Sequence, residues 1–142
     1  MKNVLEFLEH TAKCYGDKTA VDDGSICYTF EELKDLAEKI GSRLASQVRP
    51  GTAVPVFADK SADRLAVFLG IVEAGCFYVP VNPVQPDFRV KQILDTLDSG
   101  ILVSVPEQKE RLQALGFSGT LLMMDELKQI EGKAQVLEEI RA

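Results

Sequence analysis

The chain has 142 residues, which predicts a single domain, and 46% of them are hydrophobic, enough for a core without disulfide or metal crosslinks. A net charge of -6 without a cluster of Lys or Arg argues against binding to nucleic acid or to an anionic membrane. No apolar run approaches the ~20 residues of a membrane helix, and the polar N-terminus is unlike a signal peptide. We therefore expect a cytoplasmic protein with neither nucleic acid nor membrane as a partner.

The first part of the chain is predicted to form a helix and a hairpin. Residues 3–14 carry apolar side chains at helical spacing. The turn sequence Asp22-Asp23-Gly24 then separates two short strand patterns, over 19–21 and 25–28. The hairpin is thus predicted to lead directly into the next element.

That next element is a helix with a strong start signal. Thr29 and Glu32 have the spacing of a capping box, in which each side chain accepts a hydrogen bond from the backbone N–H of the other residue. Tyr28 and Leu33 flank the box as a hydrophobic staple, and the apolar face continues to about residue 46.

From residue 53 onward, strand and helix patterns alternate. The run 53–58 is apolar on successive residues, as in a strand buried on both faces, although Pro55 lacks a donor and favours a sheet edge. Ser61 and Gly75 are the predicted caps of the following helix. The next prediction is a strand over 76–81, buried from Tyr78 to Val81. The remaining predictions, in order, are a helix opened by Pro86, a strand over 101–105, a helix from 106 to 115, a strand over 120–123, one or two helical turns over 125–130 and a charged tail over 132–142.

This alternation predicts an α/β fold with a layered, mostly parallel sheet flanked by helices and connected by right-handed crossovers. The sequence contains no glycine-rich phosphate loop and no nucleophile elbow. Gly116-Phe117-Ser118-Gly119 comes nearest to a phosphate loop, but it lacks a neighbouring lysine and precedes a strand, so we interpret it as a turn.

Cysteine and histidine residues are few. Cys14, Cys27 and Cys76 lie far apart, and we interpret all three as small buried hydrophobic residues. His10 is the single histidine; a catalytic Cys–His pair is conceivable, but the polar helical surroundings of His10 favour a solvated side chain. A metal site would need several ligands, and no cluster of His, Cys or carboxylate residues at ligand spacing occurs in the sequence, so no metal site is expected.

Two stretches resemble core motifs of the adenylate-forming (AMP-binding) ligase superfamily. Residues 28–33, Tyr-Thr-Phe-Glu-Glu-Leu, resemble the first motif, and residues 72–83, Val-Glu-Ala-Gly-Cys-Phe-Tyr-Val-Pro-Val-Asn-Pro, resemble the second. The second match is close, and its Tyr-Val-Pro is most similar to amino-acid adenylation domains of nonribosomal peptide synthetases and to D-alanine–carrier-protein ligases. Asn82 departs from the usual Asp of this motif, and the Asn-Pro pair at this point resembles acyl-CoA synthetases and luciferases.

The resemblance implies an enzyme that activates a carboxylic acid, most often an amino acid, with ATP and Mg²⁺ as an acyl-adenylate. Such enzymes then pass the acyl group to a thiol, often the phosphopantetheine arm of a carrier protein. The two motifs themselves have structural interpretations. Glu32 is expected to act in the capping box. Asn82 ends a strand, where α/β sheets bind ligands, but an Asx turn before Pro83 is the favoured interpretation.

The phosphate loop, ribose-binding acid, hinge and catalytic lysine of the family have no counterpart in this sequence. We therefore assign no catalytic, cofactor-binding or metal-binding residue, and expect residues 1–131 to be the N-terminal α/β part of an AMP-binding domain, inactive alone and partnered by the remainder of a parent ligase. A fragment of an acyl-CoA synthetase and a non-enzymatic α/β interaction module are the alternatives. Apolar strands over 54–57 and 101–105 would be left at unpaired sheet edges, so the isolated chain is expected to form homo-oligomers.

Overall fold

The computed structural model describes residues 4–97 and 100–128. The helices are α1 Val4–Tyr15, α2 Phe30–Ala45, α3 Ala62–Glu73, α4 Asp87–Leu97, α5 Lys109–Ala114 and α6 Met124–Lys128. The strands are β1 Thr19–Asp22, β2 Cys27–Thr29, β3 Ala53–Phe57, β4 Phe77–Val81, β5 Ile101–Ser104 and β6 Thr120–Met123. A single 3-10 turn, Pro106–Gln108, precedes α5, so the proline opens a tighter turn than the predicted α-helix.

The larger sheet is parallel throughout and has the strand order β4-β3-β5-β6. The hairpin of β1 and β2 forms a separate antiparallel ribbon. The predicted α/β class with a mostly parallel, helix-flanked sheet is therefore confirmed, together with every predicted strand.

Two hydrophobic cores cover the two faces of this sheet. The first lies beneath α1, α2, α3 and α6 and receives Val54 and Val56 from β3. The second lies beneath α4 and α5 and receives Phe57 from the same strand. Side chains of a strand alternate between faces, so β3 has no solvated side. The resulting architecture is a sheet between two helical layers, the usual solution for a parallel sheet.

Local capping interactions define the ends of α2 and α3. The N–H of Glu32 donates to the Thr29 hydroxyl at 3.1 Å, and the N–H of Thr29 donates to the Glu32 carboxylate at 2.9 Å, as the capping box predicts. Ser61 caps α3 by accepting from the N–H of Arg64 at 3.0 Å. Gly75, at φ 78°, ends α3 in a Schellman motif, in which its N–H donates to Val72 O and that of Cys76 donates to Ile71 O.

The positions of Pro55 and of β4 differ from the sequence-based expectations. Pro55 lies in a central strand, β3, and not at a sheet edge. At Pro55 the strand pairs with β4, and its pairing with β5 begins one residue later, at Val56. β4, predicted as buried, is instead an edge strand: Phe77, Tyr78 and Pro80 are exposed, and Val81 is buried. Pro80 is tolerated here because one side of an edge strand needs no donor.

The edges of the sheet therefore differ from those we expected. The strands over 54–57 and 101–105 were predicted to be unpaired, but β3 and β5 each have a neighbour on both sides. Successive apolar residues mark a strand buried on both faces, which is typical of the centre of a sheet. Of the two real edges, β4 exposes the aromatic side chains of Phe77 and Tyr78, whereas β6 contains no aromatic residue.

Two predictions fall on residues beyond this description. The charged tail over 132–142 and the end of the helical turns over 125–130 lie outside the described residues. Among the helices that are described, none has both the length and the apolar character needed to cross a membrane.

The capping box leads to a stability prediction. Thr29→Ala should lower the free energy of unfolding by about 1 kcal/mol, because it removes the acceptor for one orphan N–H of α2. Glu32→Ala should cost less, and the double variant should cost less than the sum, since both residues act in one box. Urea denaturation of the four proteins measures this coupling. Fully additive losses would show that the box does not form in solution.

The exposed edge of β4 leads to a prediction about self-association. We expect the isolated chain to form dimers or larger oligomers through this edge, because unpaired strand backbone beside exposed aromatic side chains favours strand addition. Phe77→Lys should weaken the association. Tyr15→Lys is a matched control, because Tyr15 is 52% exposed and Phe77 is 53% exposed. Tyr15 lies on α1 and not on the sheet edge, so this change should leave the association unaffected. Sedimentation equilibrium over a wide concentration range tests both, and a strictly monomeric wild-type chain would contradict the prediction.

Candidate functional site

The carboxyl edge of the sheet is the position at which parallel α/β folds bind ligands. β3 leads through α3 to β4 on one side, whereas β5 leads through α5 to β6 on the other, so the topological switch point lies between β3 and β5. At this point the buried hydroxyl of Ser104 donates to the carbonyl of Phe57 at 2.5 Å. The Ser104 hydroxyl and the Phe57 carbonyl at the switch point are thus hydrogen-bonded to each other.

The loop after β3 meets the tip of the β1–β2 hairpin. One oxygen of Asp23 accepts the N–H groups of Ser25 and Ile26, and the other accepts the N–H of Ala62, the first residue of α3, at 2.8 Å. These hydrogen bonds, led by the one from Ala62, hold the pKa of the Asp23 carboxyl below its ordinary value of 3.8. Asp23 therefore closes the hairpin turn and caps a distant helix at once.

A pocket of about 400 Å³ lies beside this junction. Its apolar wall consists of Val21, Leu65 and Phe68, and its polar lining comes from Asp22, Asp23, Lys60, Ser61 and Arg64. The Arg64 guanidinium lies 5.2 Å from the centre of the Phe68 ring and donates weakly to Ala58 O. Both acidic side chains accept hydrogen bonds from backbone N–H groups: Asp22 accepts that of Gly24, and Asp23 accepts that of Ala62.

The second family-like motif ends in the loop after β4. The side-chain oxygen of Asn82 accepts the N–H of Val84 at 2.9 Å, and its backbone carbonyl accepts the N–H of Gln85. This is the predicted Asx turn, formed ahead of Pro83. A carboxylate at this position could accept the same hydrogen bond, so the exchange of Asp for Asn leaves the geometry of the turn unchanged.

Arg111 on α5 holds this loop in place. Its guanidinium donates to Asp87 at 2.7 Å, to Pro83 O at 2.6 Å and to Gln85 O at 2.8 Å. It also stacks over the Phe57 ring, with 5.2 Å between Cζ and the ring centre. Arg111 had no sequence signal, because its partners lie 24 to 28 residues away and no helical or strand spacing relates them.

The first family-like motif also has a structural role. Tyr28 donates its hydroxyl proton to Asp63 on α3, with 2.5 Å between the oxygens, while Thr29 and Glu32 form the capping box. These contacts link the hairpin to α2 and α3. They support the capping interpretation of Glu32.

The cysteine prediction is correct for one residue and wrong for two. Cys76 is buried, and this burial raises the pKa of its thiol, whereas Cys14 and Cys27 are exposed. Both exposed residues lie on elements with one solvated side, α1 and the edge of the hairpin. His10 is exposed as expected, and its Nε2 lies 3.8 Å from the Cys14 sulfur.

The structure also separates the glycine-containing segment from the carboxyl edge. Residues 116–119 connect α5 to the beginning of β6, at the amino end of the strands, and Gly116 has φ 88°. The turn interpretation of this segment is therefore confirmed. Across residues 4–97 and 100–128, no three His, Cys, Asp or Glu side chains are grouped so that they could hold a metal ion.

Comparisons with known proteins extend over most of the chain. A model of the family described as AMP-binding enzyme matches residues 8–139. Gramicidin S synthase 2 from Brevibacillus brevis is 29% identical over 136 residues, which are 95% of this chain and 3% of that protein. The chain therefore spans only a small part of the length of this relative.

Solved structures are similar over the same range. The nonribosomal peptide synthetase FmoA3, in a form bound to alpha-methyl-L-serine-AMP, has a TM-score of 0.79 and 29% identity, covering 88% of this chain and 14% of that one. VinN has a TM-score of 0.80 at 21% identity, covering 97% of this chain and 36% of its own, and this likeness concerns the fold alone.

The Asp23 junction leads to a prediction about pH dependence. The lowered pKa means that ionised Asp23 stabilises the folded chain at pH values above 3.8, and that this contribution is lost as the pH falls through the lower folded value. Asp23→Asn should therefore destabilise the chain at neutral pH, with a difference that shrinks in acid. Urea denaturation of both proteins across this range tests it, and Asp17→Asn, an exposed residue before β1, is the control. A difference that does not depend on pH would contradict the junction.

Proposed function

Because the chain belongs to the AMP-binding enzyme family, we propose that residues 1–131 supply the N-terminal α/β part of a ligase that activates an amino acid with ATP as an acyl-adenylate. The observation that carries this proposal is the family match over residues 8–139, together with 29% identity to a nonribosomal peptide synthetase solved with an amino-acid adenylate. The acyl group would then pass to the phosphopantetheine thiol of a carrier protein. The remainder of the parent ligase would be the principal partner of this chain.

In this proposal the chain contributes the framework of the ligase and no reacting group. ATP would be a substrate of the whole enzyme and Mg²⁺ its metal cofactor, but the N-termini of α2 and α3 do not fit the phosphates of ATP. A helix N-terminus can bind phosphate through its free N–H groups, yet Asp23 and Ser61 occupy those of Ala62 and Arg64 on α3. On α2, Thr29 occupies the N–H of Glu32.

The contribution of the chain is instead to position loops at the carboxyl edge. Arg111 fixes the loop after β4 through two hydrogen bonds to its carbonyls and a third to Asp87, the first residue of α4, and the Asx turn of Asn82 fixes the first residues of the loop. Three bonds from one rigid guanidinium restrain a loop strongly because the donors are arranged in a fixed plane. A loop held in this way would present a constant surface to the rest of the ligase.

A test of the framework role uses a chimera. Residues 4–128 would replace the corresponding segment of an amino-acid adenylation domain, and amino-acid-dependent ATP–pyrophosphate exchange would be measured. We expect exchange to persist with the amino-acid preference of the host, because no acid-binding group comes from this segment. Arg111→Ala in the chimera should lower exchange, whereas Arg89→Ala, an exposed arginine on α4, should not. No exchange from a chimera that unfolds cooperatively would contradict the proposal.

The isolated chain provides a second test. We expect no ATP–pyrophosphate exchange with any of the common amino acids or with D-alanine, because no phosphate cradle is available among the described residues. The assay should include an intact adenylation domain as a positive control. Measurable exchange by the purified chain would overturn the assignment of a framework role.

A further inference from the structure

His10 and Cys14 form a pair of metal-ligating side chains outside the carboxyl edge. They are four residues apart on α1, and residues at this spacing lie on the same helix face in successive turns. The Cys14 sulfur lies 3.8 Å from Nε2 of His10, and both side chains are exposed. Neither residue contributes to the framework described above.

The separation of these atoms is close to the distance that a tetrahedral ion requires. With bonds of about 2.3 Å to sulfur and about 2.0 Å to nitrogen, the two ligating atoms of a tetrahedral zinc site are roughly 3.5 Å apart. The observed 3.8 Å between Cys14 Sγ and His10 Nε2 is slightly longer than this value. As a sulfur–nitrogen hydrogen bond, by contrast, the same contact is long and weak.

The electrostatic surroundings also favour a cation. The pair lies in the second half of α1, which ends at Tyr15, and the carbonyl end of a helix carries partial negative charge. Two lysines lie near the pair in sequence. The Lys18 ammonium contacts the Tyr15 ring, at 4.9 Å from its centre. Lys13 directly precedes Cys14, but adjacent residues of a helix point in different directions, so its ammonium does not share the face of the pair.

Contrary to the expectation from the sequence that the chain has no metal site, we propose that His10 and Cys14 form a two-ligand site for a borderline-soft divalent cation of the zinc type. Nε2 of a neutral imidazole and the sulfur of a thiolate bind the ion, the thiol proton is released to solvent, and water completes the coordination. This donor set selects zinc or cobalt over magnesium and calcium, which prefer oxygen ligands. The other two cysteines lack such a partner: Cys27 contacts the Thr19 hydroxyl at 3.9 Å, and Cys76 is buried.

Titration of the full chain with cobalt(II), in the presence of a non-chelating reductant, tests the proposal. We expect a sulfur-to-cobalt charge-transfer absorption that saturates at one ion per chain and disappears when zinc is added. Cys14→Ser should abolish the absorption, and His10→Gln should weaken binding by more than the roughly tenfold that loss of an outer-shell partner of a metal ligand costs. Cys27→Ser, which removes the other exposed thiol, is the matched control and should bind as the wild type does. Magnesium should not compete.

Thermal unfolding gives an independent readout. An ion that joins two turns of α1 should raise the unfolding temperature of the wild type and of Cys27→Ser, but not that of His10→Gln or Cys14→Ser. Half an ion per chain would mean that a second copy, and not water, fills the open positions, and it would overturn the site within one chain. Unchanged affinity in His10→Gln, or charge-transfer absorption that persists in Cys14→Ser, would overturn the proposal.

Discussion

β3 pairs with a strand on each side, and its side chains enter both hydrophobic cores. A strand without a solvated face requires helices on both sides of the sheet. α3, which connects β3 to β4, covers one face, and α4, which connects β4 to β5, covers the other. The chain thus reaches β4 on one side of β3 before it reaches β5 on the other. This order places the switch point, and the loops that surround it, at the carboxyl edge.

The polar groups at that edge are bonded mainly to the protein's own backbone. Asp23 caps α3 from the hairpin, Ser104 bonds to Phe57 across the switch point, and Arg111 bonds to the loop after β4. Groups that are satisfied in this way hold loops in place and offer little to a ligand. The edge is therefore suited to present fixed loops to neighbouring parts of a larger enzyme, in agreement with the proposed framework role.

The family relationship follows the same physical logic. At 29% identity to FmoA3 the fold is retained with a TM-score of 0.79, because core positions require apolar side chains of suitable volume more than particular residues. The motif that resembles the family most closely ends α3, builds β4 and begins the Asx turn after it. Its Gly75 has a positive φ that favours glycine, and its turn requires a side-chain oxygen at residue 82. These requirements are structural, and they explain why the motif is recognisable by its role in the fold alone.

The sequence by itself determined the features that depend on neighbouring residues: the capping box of Thr29 and Glu32, the Ser61 cap, the Gly75 stop and the Asx turn of Asn82. It also determined the class of the fold, since alternating strand and helix patterns are local. Only the tertiary structure decided the strand order, which made β4 an edge and placed β3 and β5 in the centre. It likewise decided which cysteines are buried and brought Asp23 to Ala62 across 39 residues and Arg111 to Asp87 across 24. Periodicity records which face of an element is apolar, but it carries no information about which distant element covers that face or which side chain meets it there.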